Sequence, residues 1–221
     1  MCATIFTTIS NNKRSNTDLA QEQRPRKMQR ILMSSLPDRL STQHVEESNP
    51  ESLLKGPIYS FSDLLDNFFQ APTDEEIAAY DFTSTNAIRN QDMAALRQFH
   101  KEGRPLKCSN KFGESLLHMA CRKNMVEVTT FLVQEAQVPL QVCDDYGKSP
   151  LTDACWAHET NFELIDLILG ACPDLLYIQD KRGFTPLAYL KQEKWAAWNV
   201  YLQSKSPEFL KPKYLTLAHK Q

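Results

Sequence analysis

Three segments, "NKFGESLLHMAC", "DDYGKSPLTDAC" and "DKRGFTPLAYLK", begin at Asn110, Asp144 and Asp180 and place glycines at Gly113, Gly147 and Gly183. The spacings are 34 and 36 residues. Self-similarity at such a period marks a repeat architecture, because one short unit cannot bury its apolar face alone and must stack on its copies. Each position has a physical role. The glycine supplies a turn conformation that a side chain resists. Ser115, Ser149 and Thr185 are placed to cap a following helix by accepting from a free backbone N–H. Pro150 and Pro186 fall at the first helical position, where a missing N–H costs nothing. Leu117, Leu151 and Leu187 then face inward, and Ala120 and Ala154 are small where neighbouring copies approach. A second helix follows: "EVTTFLV" from Glu127 aligns with "ELIDLIL" from Glu163, pairing Val128 with Leu164, Phe131 with Leu167 and Leu132 with Ile168.

A repeat of this length with a Gly-x-Thr-Pro-Leu-His-x-Ala signature resembles the ankyrin family, whose unit is a turn and two antiparallel helices. "GFTPLA", "GKSPL" with Ala154, and the His and Ala of "LLHMA" carry that resemblance. It implies an all-α, ankyrin-repeat solenoid of stacked helix-turn-helix units over residues 80–206, divided about 80–109, 110–143, 144–179 and 180–206. The first unit, "AIRNQDMAALRQFHKEG", is worn but keeps Leu96 and Phe99 for the core. In the last, Trp195, Trp198, Tyr201 and Leu202 build the outer helix. Lys191 there replaces Cys121 and Cys155 of the earlier copies, as suits a terminal unit. Residues 207–221 form a basic tail that folds back on Trp195 and Trp198 or stays loose.

Residues 1–57 are rich in Ser, Asn, Gln, Arg and Pro without a sustained apolar period, and read as a disordered N-terminal arm. Its "RPRKMQR" is a nuclear import address or a solvated charge run. From 58 to 71 the stripe Phe61, Leu64, Leu65, Phe68, Phe69 has helical spacing, Ser60 and Asp63 suit a capping box, and Pro72 closes the segment. This amphipathic acidic helix either caps the repeats or docks another protein, in which case it would serve a nuclear or transcriptional regulator.

His118, Cys121, Cys155 and His158 read as His-x-x-Cys followed by Cys-x-x-His, the ligand types of a zinc site. Repeat translation argues against convergence. Equivalent backbones in neighbouring units stand ~8–10 Å apart, whereas zinc needs every ligand at ~2.0–2.3 Å from one centre. No metal and no cofactor are expected, and the thiols read as small core fillers. Six cysteines without a secretory leader indicate free thiols in a reducing compartment. The chain has no phosphate-cradling Gly-rich loop, no Gly-x-Ser-x-Gly elbow and only five His, so catalytic residues and a small-molecule substrate are not expected. An enzyme or metalloprotein is the remote alternative. A net charge of −2 gives no general attraction to nucleic acid or anionic membrane, and no window approaches a membrane span.

The resemblance implies a non-enzymatic protein-protein interaction module, a scaffold or adaptor in cytoplasm or nucleus. Its partner would lie on the concave side, built from inner helices and turns. Mapped position by position, that surface offers Arg89, Met119, Arg122, Lys123, Asp153, Trp156, Tyr189 and Gln192 from the helices. The turn tips add Phe112, Tyr146 and Arg182. Trp156, between Arg122 and Tyr189, either binds or covers the insertion at "HETN". A capped solenoid has no need to self-associate, so a monomer is expected.

Overall fold

The computed structural model describes residues 48–64 and 68–215, so the arm through residue 47 lies outside the described residues. The expected helix pairs are present. The first is α2 (Phe82–Arg89) with α3 (Met93–Lys101), each capped by an aspartate: Asp81 accepts from the Ser84 N–H at 2.8 Å and Asp92 from that of Ala95 at 3.0 Å. The second is α4 (Leu116–Arg122) with α5 (Val126–Thr130), which runs into a π-helical turn over Phe131–Glu135. The third is α6 (Pro150–Trp156) with α7 (Phe162–Ala171). In the last unit the inner helix shrinks to a 3-10 turn, Pro186–Tyr189, before α8 (Trp195–Ser204). That short inner segment is buried at Pro186 and Leu187 and packs on α6 and on the turn Pro50–Leu53.

Helix α4 packs between α2 and α6, α6 packs on the final 3-10 turn, and α5 packs on α7. Leu117, Leu151 and Leu187 are fully buried at the seams, as are Ile88 and Leu96 of the first pair, while Phe99 is half-buried against the core. Val128 and Leu164, and Leu132 and Ile168, bury as matched pairs; Phe131 is buried but its counterpart Leu167 stays at the margin. The predicted caps diverge. Ser115 accepts from the His118 N–H at 3.4 Å, Ser149 instead meets the Thr152 hydroxyl at 3.4 Å, and Thr185 donates its hydroxyl to Glu51 at 2.7 Å.

That last bond belongs to a correction. The arm does not extend to residue 57: Pro50–Leu53 forms a 3-10 turn packed on α8, Pro50 is buried, and the Asn199 amide donates to the Ser48 carbonyl at 2.9 Å. Order here comes from tertiary anchors, which an apolar period does not report. The amphipathic helix over 58–71 is a second correction. Among the described residues of that span, only Phe61–Asp63 is helical, a single 3-10 turn. The Ser60 N–H does donate to the Asp63 carboxylate at 3.3 Å, but the turn goes no further.

The described residues of the segment form a strap on the repeats instead. Tyr59 pairs with the strand-like stretch at Ile178, donating to the Tyr177 carbonyl at 2.8 Å and accepting from the Gln179 N–H at 2.9 Å. Phe61 stacks on Phe69 at 5.7 Å, and Phe68 meets Phe69 edge-on at 5.0 Å. The Gln70 N–H reaches the Gln141 carbonyl at 3.3 Å, and Lys107 holds both Gln70 and Glu76. A further helix, α1 (Asp74–Ala79), then leads into the first pair. A detached helix of this length is marginal, and Phe61 lies instead against the turn at Gly147 and Lys181. The aromatic residues therefore have an intramolecular partner, which removes the recruitment helix.

Gly147 shows how tightly the strap sits. Its φ is +81°, and an added Cβ would lie 2.8 Å from the Phe61 ring and 3.1 Å from the Lys181 nitrogen. Gly183 has nearly the same φ, +84°, with nothing within 4 Å. Gly183→Ala is expected to lose only backbone strain, about 1–2 kcal/mol. Gly147→Ala is expected to lose roughly twice that, adding displacement of Phe61, and to expose residues 48–64 to limited proteolysis. Equal cleavage of the strap in both variants would show that Phe61 is not seated against the turn.

The tail is a third correction. Its described part, residues 207–215, packs chiefly away from Trp195 and Trp198. Helix α9 (Pro207–Leu210) packs on α7 and on the 3-10 turn Pro173–Tyr177, followed by residues 211–215. Trp198 is enclosed by Phe162 and Tyr201 at 5.5 Å each.

Candidate functional site

The same turn recurs in each unit because one side chain fixes it. Asn110 accepts from the N–H groups of Phe112 and Glu114 at 2.9 and 3.1 Å, and Asp144 from those of Tyr146 and Lys148 at 2.9 Å each. Asp180 accepts from Arg182 and Phe184 at 2.8 and 3.0 Å. Successive tips are tied together: the Asp145 N–H donates to Phe112, and the Lys181 N–H to Tyr146, both at 2.9 Å. Two side-chain slots follow. One holds Phe112, Tyr146 and Arg182, and the other, just after the glycine, holds Glu114, Lys148 and Phe184.

The second slot meets the inner helices. The Lys148 ammonium lies 4.8 Å from the Tyr189 ring centre, 5.5 Å from Trp156 and 5.9 Å from Tyr146. The Arg182 guanidinium lies 5.7 Å from Tyr146 and from Tyr189, and 5.9 Å from Phe184. Trp156 and Phe184 flank Tyr189 at 5.9 and 6.1 Å. These rings are wet: Tyr146 is 60% exposed, Trp156 57% and Phe184 50%, with Phe112 at 54% on the neighbouring tip. Contiguous exposed aromatic surface of this kind marks an interaction site more often than a resting surface. Trp156 does not cover the insertion. Residues 157–161 are instead held by Asn124, which donates to the Glu159 carbonyl at 2.8 Å, and by Lys194, which donates to that of Ala157.

The patch is braced from beneath. Tyr189 donates its hydroxyl to Asp180 and accepts from Arg182. Burial, reinforced by the bond to Asp180, pushes the Tyr189 hydroxyl up to about 12. Burial opposes ionisation of Asp180, but Tyr189 and two backbone N–H groups outweigh it and hold the carboxyl below its ordinary value.

Of the predicted residues, Arg89, Phe112, Arg122, Lys123, Tyr146, Trp156, Arg182 and Gln192 are exposed, and Met119 and Tyr189 half-buried. Asp153 is the exception: it is buried and held by Arg122 at 2.8 Å, while Arg122 also grips Glu114 at 2.7 Å. Burial raises the Asp153 carboxyl above its usual range. This triad joins two units and is spent internally. Lys148 and Phe184 escaped the sequence reading, although both follow the turn glycine of their unit and that register was available.

The metal-like quartet disperses. His118 is buried and bound to Ser115 and to the Lys148 carbonyl, while His158 is exposed. Among the described residues no three His, Cys, Asp or Glu side chains gather around a point. Cys108, Cys121, Cys143, Cys155 and Cys172 are free thiols. Burial pushes Cys143 up to about 11, Cys108 and Cys172 to about 12, and Cys121 and Cys155 upward as well, so none is a ready nucleophile. Among the described residues no helix is long and apolar enough to cross a membrane.

Residues 85–177 match the family model for ankyrin repeats, in three copies. Human SMC5-SMC6 complex localization factor protein 1 is 34% identical over 89 residues, which is 40% of this chain and 8% of that protein. The mouse protein of the same name is 35% identical over 77 residues, 35% of this chain and 6% of its own length. The chain thus spans less than a tenth of these relatives. An ankyrin repeat domain from Acinetobacter baumannii AYE is similar at 25% identity and a TM-score of 0.47, covering 57% of this chain and 67% of that one.

Proposed function

We propose that this chain, whose residues 85–177 are ankyrin repeats, is a non-enzymatic adaptor that binds a protein partner with its turn tips and inner helices. The observation that carries this reading is the gathering of Tyr146, Trp156, Phe184 and Tyr189 around Lys148 and Arg182 on rigid, mutually tied turns. Trp, Tyr and Arg are the residue types that dominate binding hot spots. Preformed geometry also keeps the ordering cost of association low. The name of the human relative, a localization factor for a complex, accords with an adaptor role over the matched stretch. Free thiols suit a reducing compartment, cytoplasm or nucleus. The basic cluster at Arg24, Arg26, Lys27 and Arg30 supplies a route to the nucleus.

The double variant Trp156→Ala, Tyr189→Ala is expected to weaken capture of partners at least about tenfold. Val200→Ala, on an exposed site of α8, should leave capture unchanged. Proximity labelling with mass spectrometry supplies the partners, and quantitative pull-down compares the variants. Undiminished capture by a double variant with an unchanged melting temperature would remove this surface from consideration.

A further inference from the structure

Resting on that reading, we propose that the partner segment is an acidic peptide carrying an aromatic side chain, not a cationic one. The ring faces that would recognise a cation are already occupied. Lys148 stands within 6 Å of three ring centres and Arg182 within 6 Å of three. An incoming Lys or Arg would meet like charge at faces already engaged.

The unmet demand on this surface is for anions. Four carboxylates here are consumed internally, Asp144 and Asp180 by backbone N–H groups and Asp153 and Glu114 by Arg122, while Asp145 on the tip is exposed. Lys148, Lys111, Lys123 and Arg89, by contrast, form no ion pair among the described residues. A carboxylate brought to the Lys148 ammonium would pair with it at an exposed aromatic surface that a bound partner shields from water, which strengthens the pairing. The chain's own strap shows that an aromatic ring beside a lysine fits the turn edge. Residues 58–82 hold six acids and no base, and their Phe61 lies beneath the Lys181 ammonium at 5.2 Å.

The test uses the full chain and three fluorescein-labelled peptides. They share two central Phe residues and differ only in flanks of Asp/Glu, Asn/Gln or Lys/Arg. Binding is followed by anisotropy at low and physiological salt, with a single-stranded RNA as a fourth probe. The acidic peptide is expected to bind at least about tenfold tighter than the neutral one and to weaken as salt rises. Lys148→Gln should erase most of that advantage, whereas Lys101→Gln, on exposed α3, should not. If the neutral or basic peptide or the RNA binds as well as the acidic one, the acidic partner is wrong. The docking surface then still stands, provided Trp156→Ala, Tyr189→Ala abolishes that binding. If the double variant changes none of the four, the surface falls as well.

Discussion

Asp174→Ala lowers the free energy of unfolding by about 2–4 kcal/mol and releases the C-terminal tail from the stack. Asp174 is fully buried in the 3-10 turn after α7. One of its oxygens accepts from the N–H groups of Tyr214 and Leu215 at 2.9 Å each, and the other from that of Lys213 at 3.0 Å. One carboxylate thus satisfies three consecutive backbone donors. After truncation the donors either stay buried without partners or carry the tail into water, uncovering Leu215 and Phe209. The second route caps the cost near the burial energy of those side chains, roughly 2–3 kcal/mol each at most. Asp174→Asn keeps one acceptor oxygen and turns an amide against the third donor, so a smaller loss, about 1 kcal/mol, is expected. Chemical denaturation gives the energies, and amide exchange at residues 213–215 reports the release. An unchanged midpoint with full protection would show that the tail is held by its side chains alone. Because the tail packs on α7, partner capture should survive either substitution.

The repeat was legible because its causes are local and recur. A positive-φ glycine, a polar side chain folding the turn, a proline at the first helical position and an inward leucine each leave a residue-type signature at fixed spacing. The candidate surface was legible to the same degree, since register alone brings Trp156 beside Tyr189. What escaped depends on partners distant in sequence. Phe61, Phe68 and Phe69 have helical spacing, yet spacing cannot say whether rings bury against their own helix neighbours or on another unit's turn. Asp153 reads as an exposed inner-helix acid until Arg122 of the previous unit turns onto it. Asp174 looks like a turn acid after Pro173, and nothing nearby announces a tail forty residues later. Lys148 is a different case: a lysine just after a turn glycine reads as a solvated charge until the rings of two units close around it.

His118→Ala is expected to cost about 3 kcal/mol and to remove this ring's share of the link between stability and pH. The ring is buried, with Nδ1 accepting from the Ser115 N–H at 3.1 Å and Nε2 placed 2.9 Å from the Lys148 carbonyl. Those partners require a neutral ring with its proton on Nε2. Protonation would set a donor at Nδ1 against the Ser115 N–H. Burial holds the imidazole below its ordinary value of 6.5 despite nearby Asp153. A folded-state value below the unfolded one means the unfolded chain binds the extra proton first. The stabilisation is therefore complete above about pH 6.5 and drains away as pH falls toward the folded value. Thr152, in the equivalent slot of the next unit, reproduces only the bond within its own unit, the Ser149 N–H donating to its hydroxyl at 3.3 Å. His118→Thr should accordingly lose the bridge between units and the pH dependence together, while losing less than His118→Ala. Urea midpoints at about pH 7.5 and 5.5 for wild type and His118→Thr separate this from carboxylate titration, which both proteins share. Equal pH slopes in the two would refute the buried neutral ring. The same bond sets the main chain from which Lys148 rises into the aromatic cluster. A histidine that resembles half of a zinc site is thus a positioning residue for the binding face, and His118→Thr should weaken peptide binding at Lys148 even where the fold survives.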